Sequence, residues 1–244
     1  MYTLMNYGEA NGVPFTQYCK DMAVFFSRFK LTDRSNQYVK LVDMLSTKLL
    51  GGEVTLATIN YDCLIEHASH LVFDQDLIGY FPGGRPIRLL KIHGSCNFGI
   101  KHPHLFIGGP VNVCGGSMIG FEPNQYDINY LEERINADKF QPVMSAYVRG
   151  KDTHVGTDLV KALRDEYRSK VLNADTVAII GVRPNEYDLH IWNPIHETRA
   201  RVVMIDPGSW AEGWFNTNLA SKKNTFYKSD FGGCLNILRS ELSV

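Results

Sequence analysis

Residues 175–205 constrain the fold more than any other stretch. An apolar, β-branched run over 175–182 is followed by a segment of helical period over 188–200, disturbed by Pro194, and then by a second apolar run, Arg201–Ile205. Two such runs joined by a helix-length crossover make a βαβ unit, because a tight turn cannot link parallel strands. The alternation recurs upstream. Residues 54–59 read as a strand leading directly into 61–72, where Leu64, Ile65, Ala68, Leu71 and Val72 keep one helical face. Residues 87–92 read as the next strand and stop at His93-Gly94. Val160, Leu163, Tyr167 and Val171, spaced by three and four, predict a helix over 158–172. Residues 126–149 read as helical pieces broken near Pro142, and 232–242 as a closing helix. The expected fold is therefore α/β and Rossmann-like, a mostly parallel sheet with helices on both faces.

The 244 residues show no internal repeat and no low-complexity segment, so a single domain over 1–244 is expected. Glycine and proline steps between 99 and 120 suggest loops with short strands, part of a small insertion at 99–150. Basic and acidic side chains, 25 and 26, nearly cancel, and the sequence pI is near 6.7. That balance gives nucleic acid or an anionic membrane no whole-molecule attraction, and neither is expected as a partner. The first residues carry neither the charged nor the apolar region of a secretory signal, and no apolar run is long enough for a transmembrane helix, so a cytoplasmic location is expected. The five cysteines are scattered and never form a C-x-x-C pair, which excludes both a disulfide framework and a cysteine zinc ribbon.

In open α/β sheets ligands bind beyond the carboxyl ends of the strands, so the polar residues that follow each apolar run are the candidates for function. They are Asn60 and Asp62 in TINYD, His93 in KIHGS, Arg183 after AIIGV, and Asp206 in VVMIDPG. Singly, each has a structural explanation: Asn and Asp cap helices, and a lone histidine is commonly packed.

Together, and in this order, the segments resemble the sirtuin superfamily, most closely the sirtuin-like domains of bacterial NAD-hydrolysing defence proteins. Thr58-Ile59-Asn60-Tyr61-Asp62 resembles the T-x-N-x-D segment, and Lys91-Ile92-His93-Gly94-Ser95 the strand that ends in a catalytic His-Gly pair. Ile180-Gly181-Val182-Arg183 with Asp188-x-His190-Ile191 is similar to the later glycine strand and its acidic helix start. Val203-Met204-Ile205-Asp206-Pro207 falls where the family holds the adenine-side ribose. The likeness covers about residues 8–242, carried by order and spacing rather than by any one motif.

Two departures bear on binding. The family's G-A-G-x-S phosphate loop and first strand are not found; the stretch from Gly8 to Pro14, with Gly12 in its G-x-P step, is similar only to the end of that loop. Either the chain starts inside the domain or the phosphate site is remodelled. Arg183 stands where the family has a small hydroxyl or aromatic residue. Its guanidinium suits a pyrophosphate and a carboxylate partner equally well. The absence of zinc-binding cysteines favours the NAD-hydrolysing branch over the protein deacylases.

The resemblance implies an NAD glycohydrolase, with NAD as substrate, that acts in antiphage defence by NAD depletion. Asn60 and His93 would be catalytic, and Gly12, Asp62, Gly94, Ser95, Gly181, Arg183 and Asp206 would hold the nucleotide. His93 suits proton removal from the attacking water because imidazole titrates near neutral pH. Asn60 suits water positioning, and its amide brings no net charge to trap a cation. A homo-oligomer or a partner defence protein is an expected association. Alternative readings are a non-catalytic nucleotide-binding or interaction module, and an NAD-dependent deacylase. A metal site built from His93, His102, His104 and nearby cysteines ranks last, since no spacing matches a closed zinc site, and no metal is expected.

Overall fold

The structure, a computed structural model, describes residues 15–81, 84–101, 122–138, 140–145 and 156–243. Gly12, His102 and His104 lie outside the described residues. The architecture is α/β, with parallel strands flanked by helices. Two helices come first, α1 (Phe15–Ser27) and α2 (Gln37–Leu50). Helix α2 starts where the Asn36 side chain accepts the Tyr38 N–H, and it buries Val39, Val42, Leu45 and Leu49 along one stripe.

Strand β1 (Leu56–Thr58), helix α3 (Leu64–Phe73), β2 (Ile78–Gly79) and β3 (Ile87–Lys91) follow, and the strands pair in parallel in the order β1-β3-β2. Strand β3 is the central one and is nearly all buried, and its two charged residues, Arg88 and Lys91, are paired with Glu166 and Glu66. Strands β4 (Phe98–Lys101) and β5 (Glu122–Gln125) form an antiparallel pair flanking residues 102–121. A 3₁₀ turn at Ile128–Tyr130 leads into α4 (Leu131–Ala137), which packs on α1 around a small core of Ala23, Tyr61, Cys63, Cys96, Tyr126, Leu131, Ile135 and Met144.

Helix α5 (Thr157–Leu172) buries Val160, Leu163, Tyr167 and Val171, the stripe its spacing predicts, and lies on β3 and on α6. The βαβ unit is then β6 (Thr176–Ile180), α6 (Leu189–Glu197) and β7 (Arg201–Ile205), with β6 and β7 parallel over five residue pairs. Pro194 lies inside α6 without ending it; the helix stops at Glu197, short of the predicted 200. Helix α7 (Ser209–Asn218), β8 (Thr225–Tyr227) and α8 (Phe231–Leu242) complete a second parallel group, β6-β7-β8. No ladder joins the two strand groups among the described residues, yet one continuous apolar core runs through both. No helix among the described residues is long and apolar enough to cross a membrane.

Candidate active-site cleft

The carboxyl ends of β1, β3 and β6 open onto one cleft of about 940 Å³, lined by Asn60 and Asp62, by His93, and by Gly181 and Arg183 respectively. Helices α6 and α7 supply the facing wall, with Asp188, Trp192, Trp210 and Trp214. Parallel strands all end on the same side, so residues far apart in sequence meet there without any local signal between them.

The loop after β1 is shaped by short polar contacts. The Asn60 N–H donates to Thr58 Oγ1 at 3.1 Å, and Asp62 Oδ1 accepts from the Leu64 N–H at 3.1 Å, fixing the start of α3. Tyr38 of α2 stands beside both residues. Burial and then the Asp62 charge push its phenol pKa up, against a hydrogen bond with the Asn60 side chain that lowers it. Asn60 is exposed to the cleft, so its amide is held yet accessible.

His93 is buried and its backbone is clamped from three directions. The Ser145 N–H donates to the His93 carbonyl at 2.7 Å, Arg164 Nε donates to the Ile92 carbonyl at 3.0 Å, and the Ser95 N–H donates to the Val143 carbonyl at 2.9 Å. Gly94 makes this approach possible. Its φ is +81°, and a Cβ there would lie 2.1 Å from the Val143 carbonyl oxygen. The His93 ring meets α6: its Nε2 lies 2.9 Å from His190 Nε2 and 3.6 Å from Asp188 Oδ1.

Beneath the cleft floor lies a buried polar cluster that the sequence reading does not include. Lys91 Nζ is 2.8 Å from Glu66 Oε1 and from Ser95 Oγ, and it also donates to the Asp62 carbonyl. Tyr80 donates to Glu66 Oε1 at 2.6 Å and accepts from Asn97 Nδ2 at 2.9 Å. Burial is the largest single influence and opposes the charge on Lys91, but Glu66 together with Cys63 and Cys96 outweighs it and the ammonium pKa is raised. Ser95 donates to the Tyr61 carbonyl, so both of its hydroxyl contacts belong to this cluster rather than to the cleft.

No family model matches the chain, and no curated protein or solved structure matches it significantly. The site is therefore read from its own geometry. Of the residues singled out from sequence, Asn60, Asp62, His93, Gly181 and Arg183 share the cleft, while Gly94 and Ser95 support it from behind. Asp206 is not among the lining residues; its carboxylate accepts the Gly208 N–H at 2.7 Å and shapes the turn into α7. The Arg183 guanidinium lies 4.8 Å from the centroid of the Trp210 ring, an aromatic partner the sequence reading did not consider. His190, read from sequence only as part of a helix start, has its ring centroid 5.0 Å from that of His93.

Chemically, the cleft offers an uncharged amide, the His93 imidazole with His190 and Asp188 against it, a peripheral guanidinium and flat aromatic surface. One ring donates to the other across their 2.9 Å contact, the direction set by the tautomers. Asp188 Oδ1 lies 3.6 Å from His93 Nε2 and places a carboxylate beside the rings.

Proposed function

We propose that this cleft hydrolyses the bond between nicotinamide and ribose in NAD. The observation that carries the reading is the convergence of Asn60, His93 and Arg183, from separate strand ends, on one cleft with a tryptophan wall, with His190 of α6 set against His93. Its volume of about 940 Å³ suits a ligand of dinucleotide size.

In this reading the C1′–N bond breaks with its electron pair leaving on nicotinamide, which departs neutral because it was cationic when bound. The ribose is left as an oxocarbenium-like centre, and the leaving group needs no acid. A water held by the Asn60 amide attacks C1′ and gives up a proton to the imidazole pair, so that NAD and water yield ADP-ribose, nicotinamide and a proton. Asp188 stabilises the pair while it holds that extra proton. Trp210 offers a face to the adenine ring, and Arg183 beside it offers charge to the pyrophosphate. The biological setting that accompanies this activity is NAD depletion in bacterial antiphage defence, carried by the family resemblance.

The internal engagement of Ser95 and Asp206 favours a second reading, a nucleotide-binding module without turnover. One experiment separates the two. Purified chain incubated with NAD is expected to release nicotinamide, and His93→Ala and Asn60→Ala, folded by circular dichroism, are expected to slow release by about 10²–10⁴-fold. NAD binding by calorimetry with no nicotinamide released selects the binding module, and transfer of an acyl group from acyl-lysine peptide selects the deacylase.

A further inference from the structure

We infer that His93, Asp188 and His190 form a binding site for a divalent first-row transition-metal ion. One ligand atom from each residue lies within 4.8 Å of the others, and His93 and Asp188 are both about 4% exposed. The three come from two elements that are fixed independently. His93 sits on the clamped loop after β3, and Asp188 and His190 sit at the start of α6, where the Asp188 carbonyl accepts from the Ile191 and Trp192 N–H groups. The ligand atoms are thus brought together by backbone that is already ordered, so little side-chain entropy remains to be lost on binding.

The separations fit coordination. Ligand nitrogens lie about 2.0–2.1 Å from such an ion, and two of them 2.9 Å apart then subtend about 90° at the metal. Asp188 Oδ1, 3.6 Å from His93 Nε2, can complete a face of three ligands with a small side-chain adjustment. An angle near 90° suits a five- or six-coordinate ion with two imidazoles and one carboxylate on one face, rather than a closed tetrahedral zinc site. His93 and Asp188 both line the cleft, so the ion would sit at its wall. Among the described residues the thiols lie elsewhere: Cys63 and Cys96 face each other at 3.7 Å in the buried cluster below.

Metal binding needs the ring nitrogens as neutral lone-pair donors, so the ion and the proton compete for the same atoms. The site itself does not depend on NAD hydrolysis. Its consequence does rest on that reading: the ion takes the imidazoles that would accept the proton of water, and a loaded site is a blocked one.

The test is equilibrium dialysis of the untagged, chelator-stripped chain against Co²⁺, with proton NMR of the loaded protein. One ion per chain, hyperfine-shifted imidazole signals from two histidines, and at least tenfold weaker binding in His190→Ala and Asp188→Asn would support the site. Absence of saturable binding, or of shifted imidazole signals in the wild-type chain, overturns it without any variant. Binding that persists in both variants, or that vanishes in a His102→Ala, His104→Ala chain while His93, Asp188 and His190 are intact, also overturns it. In parallel, nicotinamide release with and without Co²⁺ separates the two proposals: a chain that binds the ion but never releases nicotinamide keeps the metal site and loses the hydrolase reading.

Discussion

Lys91 Nζ lies 2.8 Å from Glu66 Oε1 beneath the cleft floor, with the two side chains 0% and 3% exposed. Neither residue reaches the cleft, yet the pair joins β3 to α3 between the loop carrying Asn60 and the loop carrying His93. Lys91 also contacts the Asp62 carbonyl and Ser95 Oγ, one on each loop, and so ties their spacing to a buried charge.

Breaking that pair is expected to be costly. Glu66→Gln leaves a buried ammonium without its counter-charge, and losses of about 3–5 kcal/mol are typical when one partner of a buried pair is removed. Replacing both, Glu66→Leu with Lys91→Met, is expected to recover most of the stability, since the penalty lies in the uncompensated charge. Urea unfolding of the two chains measures the difference, and equal losses would show that the pair acts through packing alone.

Gly94→Ala tests the clamp on His93. The substitution places a methyl group against the Val143 carbonyl and forces an L side chain into φ +81°. The backbone conformation alone costs about 1–3 kcal/mol, and relief of the clash must move the loop bearing His93. The expected outcome is lower thermal stability together with weaker nicotinamide release. Gly181→Ala is the comparison: φ is +62° but no atom lies within 4 Å of the added methyl, so only the conformational cost remains.

How far the sequence discloses this arrangement depends on the range of the interactions. The strands ending at Asn60, His93 and Gly181 were readable because a β-branched run that stops at a polar or glycine residue is a local pattern. The α5 stripe was readable for the same reason. Strands β2 and β8 have two and three residues, too few for alternation to show, and α7 buries only Ala211 and Phe215. Helix α2 carries a stripe at Val39, Val42, Leu45 and Leu49 whose spacing of three and four is itself a local helical signal. Lys91 was hidden by its charge: a lysine at a strand end reads as solvated until Glu66 is seen opposite it. The placing of His190 against His93 depends on how α6 docks beside β3, which no window of sequence contains. Asp206 is the converse case, since an acid after a strand is as well explained by the turn it caps as by a ribose.

Stability is expected to fall in alkali well before any lysine titrates in the unfolded chain. Burial pushes the Cys19 thiol up to about 12, and burial followed by the Asp230 charge pushes Cys234 up to about 11, from an ordinary value of 9.0. Above pH 9 the unfolded chain therefore releases thiol protons that the native chain keeps, and stability declines with pH wherever the native state binds more protons. Tyr80, raised mainly by burial, contributes in the same direction above pH 10. Lys91 does so too, since the stability from its raised pKa is present below the unfolded value of 10.5 and lost above it. Unfolding midpoints between pH 8 and 11 in Cys19→Ala, Cys234→Ala protein are expected to fall less steeply than in wild type. An identical slope would assign the decline to Cys63, whose thiol is pushed well above 9.0 chiefly by burial, to the tyrosines and to Lys91.

Trp210 is 47% exposed at the cleft wall, an unusual position for the largest side chain unless its surface is used. Arg183 covers one face at 4.8 Å from the ring centroid, a contact worth about 0.5–1 kcal/mol at an exposed site. A purine stacking on the ring gains more than that, about 1–3 kcal/mol per base, so the base can displace the guanidinium and free it for the phosphates. Trp210→Ala is therefore expected to weaken NAD binding by about 5- to 150-fold, with Trp210→Tyr intermediate because a smaller ring keeps part of the stacking surface. Since the ring is remote from the bond that breaks, the change should appear in KM with kcat preserved. Calorimetry with NAD and with ADP-ribose checks the assignment: both ligands should weaken together, because they share the adenine and differ only at nicotinamide. Unchanged affinity for both in Trp210→Ala would move the adenine to another part of the cleft, leaving Trp210 and Arg183 as each other's structural partners.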